Sequence, residues 1–90
     1  MLFGTINIKL FKIEISPNPA SKSVTIKNLS EDCNKMTLLN NLGQTLVEVE
    51  LTDYQEERNL DISKYTNGIY YIRLDFNHSE KVVKKFIIQN

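Results

Sequence analysis

Apolar and polar residues alternate with a period of two along most of this 90-residue chain. Residues 69–76 show the pattern most clearly, because the apolar side chains at even positions would lie on one side, with Arg73 and Asp75 on the other. Successive side chains of a β-strand point to opposite faces, so such a run fits a strand with one buried face. No amphipathic run is long enough for a sustained helix, and the chain is therefore predicted to fold as β-strands.

The same alternation predicts three further strands, whose inward rows are Phe11, Ile13 and Ile15; Val24 and Ile26; and Val47, Val49 and Leu51. Residues 36–39 and 58–62 are shorter and less regular strand candidates. The final run, residues 81–88, has apolar residues in both phases, which indicates either burial of both faces or a bulge that changes the phase. The register of this strand stays open, since a slip of one residue would exchange its two faces.

Turn-forming residues separate these runs at short intervals. Pro17-Asn18-Pro19 lacks a backbone donor at two positions, so the first strand is expected to end or bend there. Segments 40–43, 67–68 and 77–79 carry the asparagine and glycine residues that favour tight turns. One helical turn, capped by Ser63 or Asp61, is expected within residues 60–65. Short connections favour antiparallel pairing. The predicted fold is all-β, an immunoglobulin-like antiparallel β-sandwich of about seven strands.

The composition argues against several classes of protein. Eleven basic and eleven acidic residues cancel, so the chain as a whole offers no field that attracts nucleic acid or anionic lipid. No run approaches the roughly 18 apolar residues of a membrane-spanning helix. Residues 1–10 are interrupted by polar residues and lack the cleavage site of a signal peptide. We expect a folded domain with no nucleic-acid partner and no transmembrane segment.

Residues suited to catalysis or metal binding are scarce. His78 is the only histidine, and it falls in a predicted turn where nothing promises the desolvation that tunes a catalytic base. Cys33 is the only cysteine and is expected to be an unreactive loop thiol, because its neighbours are acidic or polar. Glu56 and Glu57 would face opposite sides of a strand, and an exposed loop is their expected place. We therefore predict no catalytic residue, no cofactor site and no metal site, and the chain is not expected to be an enzyme.

Five segments occur in an order that is distinctive as a set. They are residues 11–20, residues 23–26, residues 41–45, residues 60–73 and residues 81–89. Together they resemble the type A C-terminal sorting domains of the type IX (Por) secretion system, over residues 11–90. Pro17-Asn18-Pro19 is called the opening motif below, and residues 81–89 are called the terminal motif. Residues 1–10 would then be a linker or a fragment edge.

This resemblance implies a function without catalysis. Such a domain ends a cargo protein of certain Gram-negative bacteria, directs it across the outer membrane and is then usually removed, so that the cargo is secreted or held at the cell surface. The implied partners are the outer-membrane translocon and its associated sorting and processing proteins. The implied sorting-signal residues are Pro17, Asn18, Pro19, Gly43, Gly68, Lys84 and Lys85. The prolines and glycines would shape the backbone, with Gly68 at a positive φ in the turn that precedes Tyr70, and the two lysines are expected to be exposed recognition residues.

A second hypothesis is an immunoglobulin-like adhesion module that binds a protein or a glycan. Both hypotheses predict a β-sandwich, so the fold does not separate them. The position of the domain is expected to do so, because a sorting domain must end its protein, and the sequence here stops at Asn90, immediately after the terminal motif.

Overall fold

The computed structural model describes residues 13–78 and 80–90. These residues form two sheets and no helix, with strands β1 (Glu14–Ser16), β2 (Ser23–Lys27), β3 (Cys33–Leu39), β4 (Thr45–Glu50), β5 (Arg58–Asp61), β6 (Gly68–Phe76) and β7 (Lys81–Ile88). The predicted all-β sandwich of about seven strands is confirmed. Phe11 of the predicted first strand, and the expected linker at residues 1–10, lie outside the described residues.

The two sheets differ in size, and the connection between β1 and β2 is bonded to the edge of the larger sheet. Sheet A has the strand order β1-β2-β5, and sheet B has the order β4-β3-β6-β7. Neighbouring strands are antiparallel throughout both sheets. A parallel bridge joins Ala20, between β1 and β2, to Ile88 in β7. The chain therefore leaves sheet A after β1, touches the edge of sheet B, and returns to sheet A as β2.

The core lies between the inner faces of the sheets. It contains side chains that are at most 3% exposed, among them Val24, Ile26, Met36, Leu38, Ile72, Leu74, Phe86 and Ile88. Removing each such side chain from water contributes about 1.5–3 kcal/mol. The alternation seen in the sequence of β6 is confirmed, because its even-numbered residues line this core.

β7 pairs with β6 in an unbroken register from Gly68 opposite Ile88 to Asp75 opposite Lys81. Its even-numbered positions face the core, whereas Val83 is 55% exposed and Ile87 is 39% exposed on the other face. Both predicted explanations for its two apolar phases are therefore wrong. The pairing with β6 contains no bulge, and the second apolar row lies on the outer face of sheet B, away from the core.

Cys33 is the first residue of β3, not a loop residue. Its side chain is 6% exposed and belongs to the core, so the predicted loop thiol is wrong. Polar neighbours misled the prediction, because they lie on either side of an inward position at the start of a strand. Burial is the main reason that the pKa of the Cys33 thiol rises to about 11. The thiol is thus protonated at neutral pH.

The predicted turns are confirmed where the structure describes them. Asn40 Oδ1 accepts hydrogen bonds from the backbone N–H groups of Leu42 (2.9 Å) and Gln44 (3.0 Å), and Gly43 has a φ of +81°. The expected helical turn is a single turn, closed by the Tyr65 N–H on the Ile62 carbonyl.

Asp61, and not Ser63, is the capping residue of that turn. Its Oδ1 atom accepts hydrogen bonds from the Ser63 backbone N–H (2.9 Å) and from the Ser63 hydroxyl (2.7 Å). These bonds stabilise the carboxylate and lower the pKa of Asp61. The turn positions the start of β6, which pairs with both β3 and β7.

Candidate functional site

The opening motif lies where the chain passes from β1 to the edge of β7. Its three residues are exposed, and the Ser16–Pro17 and Asn18–Pro19 peptide bonds are both cis. The Asn18 side chain turns towards β7, and its Oδ1 atom accepts a hydrogen bond of 2.9 Å from the Ile87 N–H. The structure thus attaches the opening motif directly to the terminal motif.

Ala20 continues this attachment with its backbone. Its N–H donates to the Ile87 carbonyl at 2.8 Å, and its carbonyl accepts from the Gln89 N–H at 2.8 Å. The Ala20 side chain is 1% exposed, so a larger side chain would not fit without movement of its neighbours. Asn18 and Ala20 together bind three consecutive outward-facing backbone groups at the end of β7.

The Asn67-Gly68 turn meets the same end of β7 from the other side. Gly68 is paired with Ile88, and Asn67 Oδ1 accepts a hydrogen bond of 2.9 Å from the Asn90 N–H. Gly68 has a φ of +157°, which confirms the predicted positive φ. Gly68 must adopt this conformation for the start of β6 to pair with the end of β7.

The turn that contains Gly43 lies beside the Asn67-Gly68 turn. Residues 40–42 and residues 66–70 line an open depression of about 310 Å³ between them. Three of the sequence motifs, those at residues 17–19, 40–43 and 67–68, are therefore gathered at one end of the sandwich, together with the last residues of the terminal motif.

Lys84 and Lys85 lie in the middle of β7 and face opposite sides of sheet B. Lys85 is paired with Tyr71 and is exposed on the outer face, whereas Lys84 is paired with Ile72 on the core side and is half-buried. The expectation that both lysines are exposed is wrong for Lys84, because adjacent residues of a strand point to opposite faces. Of the two lysines, Lys85 alone is exposed.

Asp75 forms ion pairs with three cations on the outer face of sheet B. Its carboxylate is 3.2 Å from Lys81 Nζ, 3.5 Å from Arg73 Nε and 3.8 Å from Lys35 Nζ. Asp75 itself is 8% exposed, so these cations offset the cost of burying its charge. No ion pair of Lys85 is formed with any described residue, and this separates Lys85 from Lys81 on the same face of β7.

Sequence reasoning missed the contacts that Ala20, Asn67 and Asn90 make with the end of β7. Ala20 follows the opening motif directly, but no local pattern reveals that its backbone pairs with a strand near the other end of the chain. His78, by contrast, is exposed in the turn between β6 and β7, as expected. Glu56 and Glu57 also lie in an exposed connection.

Residues 13–78 and 80–90 lack two features that would indicate other functions. No group of three or more histidine, cysteine, aspartate or glutamate residues lies close enough together there to hold a metal ion. The same residues contain no helix with the length and apolar character needed to cross a membrane.

A family model described as "Secretion system C-terminal sorting domain" matches residues 14–89. The chain belongs to this family. The match covers all seven strands of the sorting domain, from the first residue of β1 to the residue after β7. No curated protein matches the chain.

Membership assigns the sorting domain to the type IX secretion system as a C-terminal sorting signal. It implies interaction with the machinery of that system in general, and export of the full-length protein to the cell surface or the medium. The family is not known for catalysis.

Proposed function

We propose that this sorting domain directs an attached cargo protein across the outer membrane, and that the translocon recognises the terminal motif together with the opening motif bound to it. The observation that supports this proposal is the pair of attachments from Asn18 and Ala20 to the end of β7. They make one continuous surface from two segments at opposite ends of the domain. Such a surface exists only in the folded domain, so the translocon would recognise the fold and not a linear peptide.

Each motif residue has its own part in this surface. Pro17 and Pro19 shape the segment that carries Asn18 to β7. Gly43 and Gly68 supply the positive φ angles of two turns. Lys85 provides the charged contact with the translocon, since it is exposed and has no acidic partner among the described residues. Lys84 supports β7 from the core side and adds a charge at the rim of the sandwich.

The test is export of a reporter. The complete chain would be fused to the C-terminus of a reporter that carries a periplasmic targeting signal, in a bacterium that possesses the secretion system. We expect the reporter on the cell surface or in the medium, and we expect Lys85→Ala to reduce that amount strongly. Its thermal unfolding should be unchanged, because substitutions of exposed residues shift stability by no more than about 0.5 kcal/mol.

Lys22→Ala is the matched control, because Lys22 is an exposed lysine outside the terminal motif. This variant should be exported as well as the wild type. Retention of the wild-type fusion in the periplasm would refute the sorting role. Normal export of Lys85→Ala would refute the assignment of Lys85 while leaving the sorting role intact. Lys84→Ala is less informative, since the half-buried position of Lys84 couples its loss to stability.

A further inference from the structure

β7 is an edge strand of sheet B, so one side of its backbone faces away from β6. The Ile87 N–H and carbonyl and the Gln89 N–H point to that side, because Asn18 and Ala20 bind them there. The hydrogen-bonding groups of successive residues in a strand point in alternate directions. The backbone groups of Lys81, Val83 and Lys85 therefore point to the same side as those of Ile87.

After β1 the described chain changes sheet without passing beside these groups. β1 pairs with β2 as far as Ser16, and the chain reaches β7 only at Asn18. In the part of the chain that the structure describes, no backbone group is bonded to the outward N–H or carbonyl of Lys81, Val83 or Lys85. This stretch of β7, residues 81–85, is called the free edge below.

The side chains along the free edge are well exposed and alternate in character. Lys81, Val83 and Lys85 share the outer face of sheet B, and Val83 is 55% exposed. Lys81 is paired with Asp75, whereas Lys85 has no acidic partner among the described residues. An added strand would place its own side chains directly beside these three, at the spacing of cross-strand pairs.

We propose that the free edge binds an extended segment of a partner protein by β-strand addition, and that this segment carries alternating acidic and apolar side chains on its outer face. Backbone hydrogen bonds would supply affinity, while the acidic groups would meet Lys81 and Lys85 and the apolar group would cover Val83. The identity of the partner as part of the export machinery rests on the proposed function. The pairing of an added strand with the free edge is independent of the proposed function.

Charge argues against a second copy of this chain as the occupant. Antiparallel pairing of two free edges about Val83 would place Lys81 of one copy opposite Lys85 of the other, and parallel pairing in register would place each lysine opposite itself. Like charges directly opposite each other destabilise a sheet. Lysines on an edge strand are a recognised means of preventing such self-association. A partner with acidic side chains converts the same lysines into attractive contacts.

The inference can be tested with the full chain and two short capped peptides. In the first, glutamate and valine alternate on one face of an extended strand, with threonine at the other positions; in the control, lysine replaces glutamate. We expect the first peptide to slow amide hydrogen exchange at Lys81, Val83 and Lys85. The affinity of the control peptide should be lower by at least about tenfold, because its lysines lie against the lysines of the free edge.

Val83→Pro removes one outward N–H without removing a hydrogen bond to β6, since proline is tolerated where an edge N–H faces solvent. Val83→Ala is its control, because it retains the N–H. We expect Val83→Pro to abolish binding of the acidic peptide and Val83→Ala to retain it. If Val83→Pro does not fold, the exchange measurement on the wild-type chain still decides the matter.

Three outcomes would overturn the inference: unchanged exchange with the acidic peptide, equal binding of both peptides, or a concentration-dependent dimer in sedimentation that protects the free edge without peptide. The peptide assay needs no secretion system, so the two proposals fail separately. An exported fusion with no peptide binding would refute strand addition alone, and peptide binding with a fusion retained in the periplasm would refute the sorting role alone.

Discussion

Asn18 and Ile87 lie 69 residues apart in the sequence, and the side chain of the first is bonded to the backbone N–H of the second at 2.9 Å. The Asn18 side-chain oxygen accepts a hydrogen bond from an edge N–H group of β7, as the carbonyl of a neighbouring strand would. The bond fixes the opening motif to the terminal motif, and the backbone of Ala20 extends the contact. The stability of the end of β7 therefore depends on a residue near the start of the domain.

Asn18→Ala should lower the free energy of unfolding by about 1 kcal/mol, the net contribution of a typical intramolecular hydrogen bond. Urea denaturation would measure the loss, and the Ile87 amide should exchange faster in the variant. Asn41→Ala is the control, because Asn41 is exposed in a turn, and its effect should stay within about 0.5 kcal/mol. Equal stability of the two variants would show that the Asn18 bond contributes nothing.

The two turn glycines should differ in the replacements that they tolerate. Gly43 has a φ of +81° with no atom within 4 Å of an added Cβ, so Gly43→Asn should cost less than about 1 kcal/mol, since asparagine adopts left-handed conformations. Gly68 has a φ of +157°, outside that region. Both Gly68→Asn and Gly68→Val should cost about 1–3 kcal/mol.

The cost at Gly68 comes from the backbone, because an added Cβ would meet only Tyr70 Cε1 at 3.7 Å, an ordinary contact. Chemical denaturation of the three variants would measure the difference. Wild-type stability in Gly68→Val would remove the conformational reason for glycine at this position.

Cys33→Ser should destabilise the domain by about 1–3 kcal/mol, because it places a hydroxyl without a suitable partner in the core. The thiol donates to the Lys35 carbonyl, 4.0 Å from Sγ, which is too far for a good hydroxyl hydrogen bond. Cys33→Ala should cost less than Cys33→Ser, since it buries no polar group. The opposite order in urea denaturation would contradict the structure.

Ionisation of the Cys33 thiol should also lower the free energy of unfolding as the pH rises into the alkaline range. Its pKa is about 11 in the folded chain, against 9.0 for a thiol exposed to water in the unfolded chain. Below the lower value the thiol is protonated in both states, and its contribution is fully present. Between the two values only the unfolded chain loses the proton, so stability falls as the pH rises. The difference between wild type and Cys33→Ala isolates this effect from tyrosine and lysine titration.

The sequence predicted those features that a local pattern determines. β6 alternates without interruption, and the Asn67-Gly68 pair indicated a turn with a positive φ. The phase of β7 could not be predicted, because Val83 and Ile87 are as apolar as the residues that face the core. Cys33 was misplaced since its polar neighbours resemble a loop, and since a bulge between Cys33 and Lys35 gives it the inward position that regular alternation from Met36 would assign to Asn34.

The candidate site was predictable only as a set of separate motifs. Nothing in the sequence near Asn18 indicates that it contacts Ile87, because such a pairing is decided by the packing of the two sheets. The exposure of Lys85 and the partial burial of Lys84 follow from the register of β7, which the sequence left open.

β7 is also the last of the seven strands to be synthesised. Until it leaves the ribosome, the outer side of β6 has no partner strand, and neither Asn18 nor Ala20 has anything to bind. A translation product that stops before Lys81 therefore lacks both the completed sheet and the surface proposed for recognition. Export through a domain of this design would require that synthesis has passed β7, so proteins truncated before this strand would not be exported.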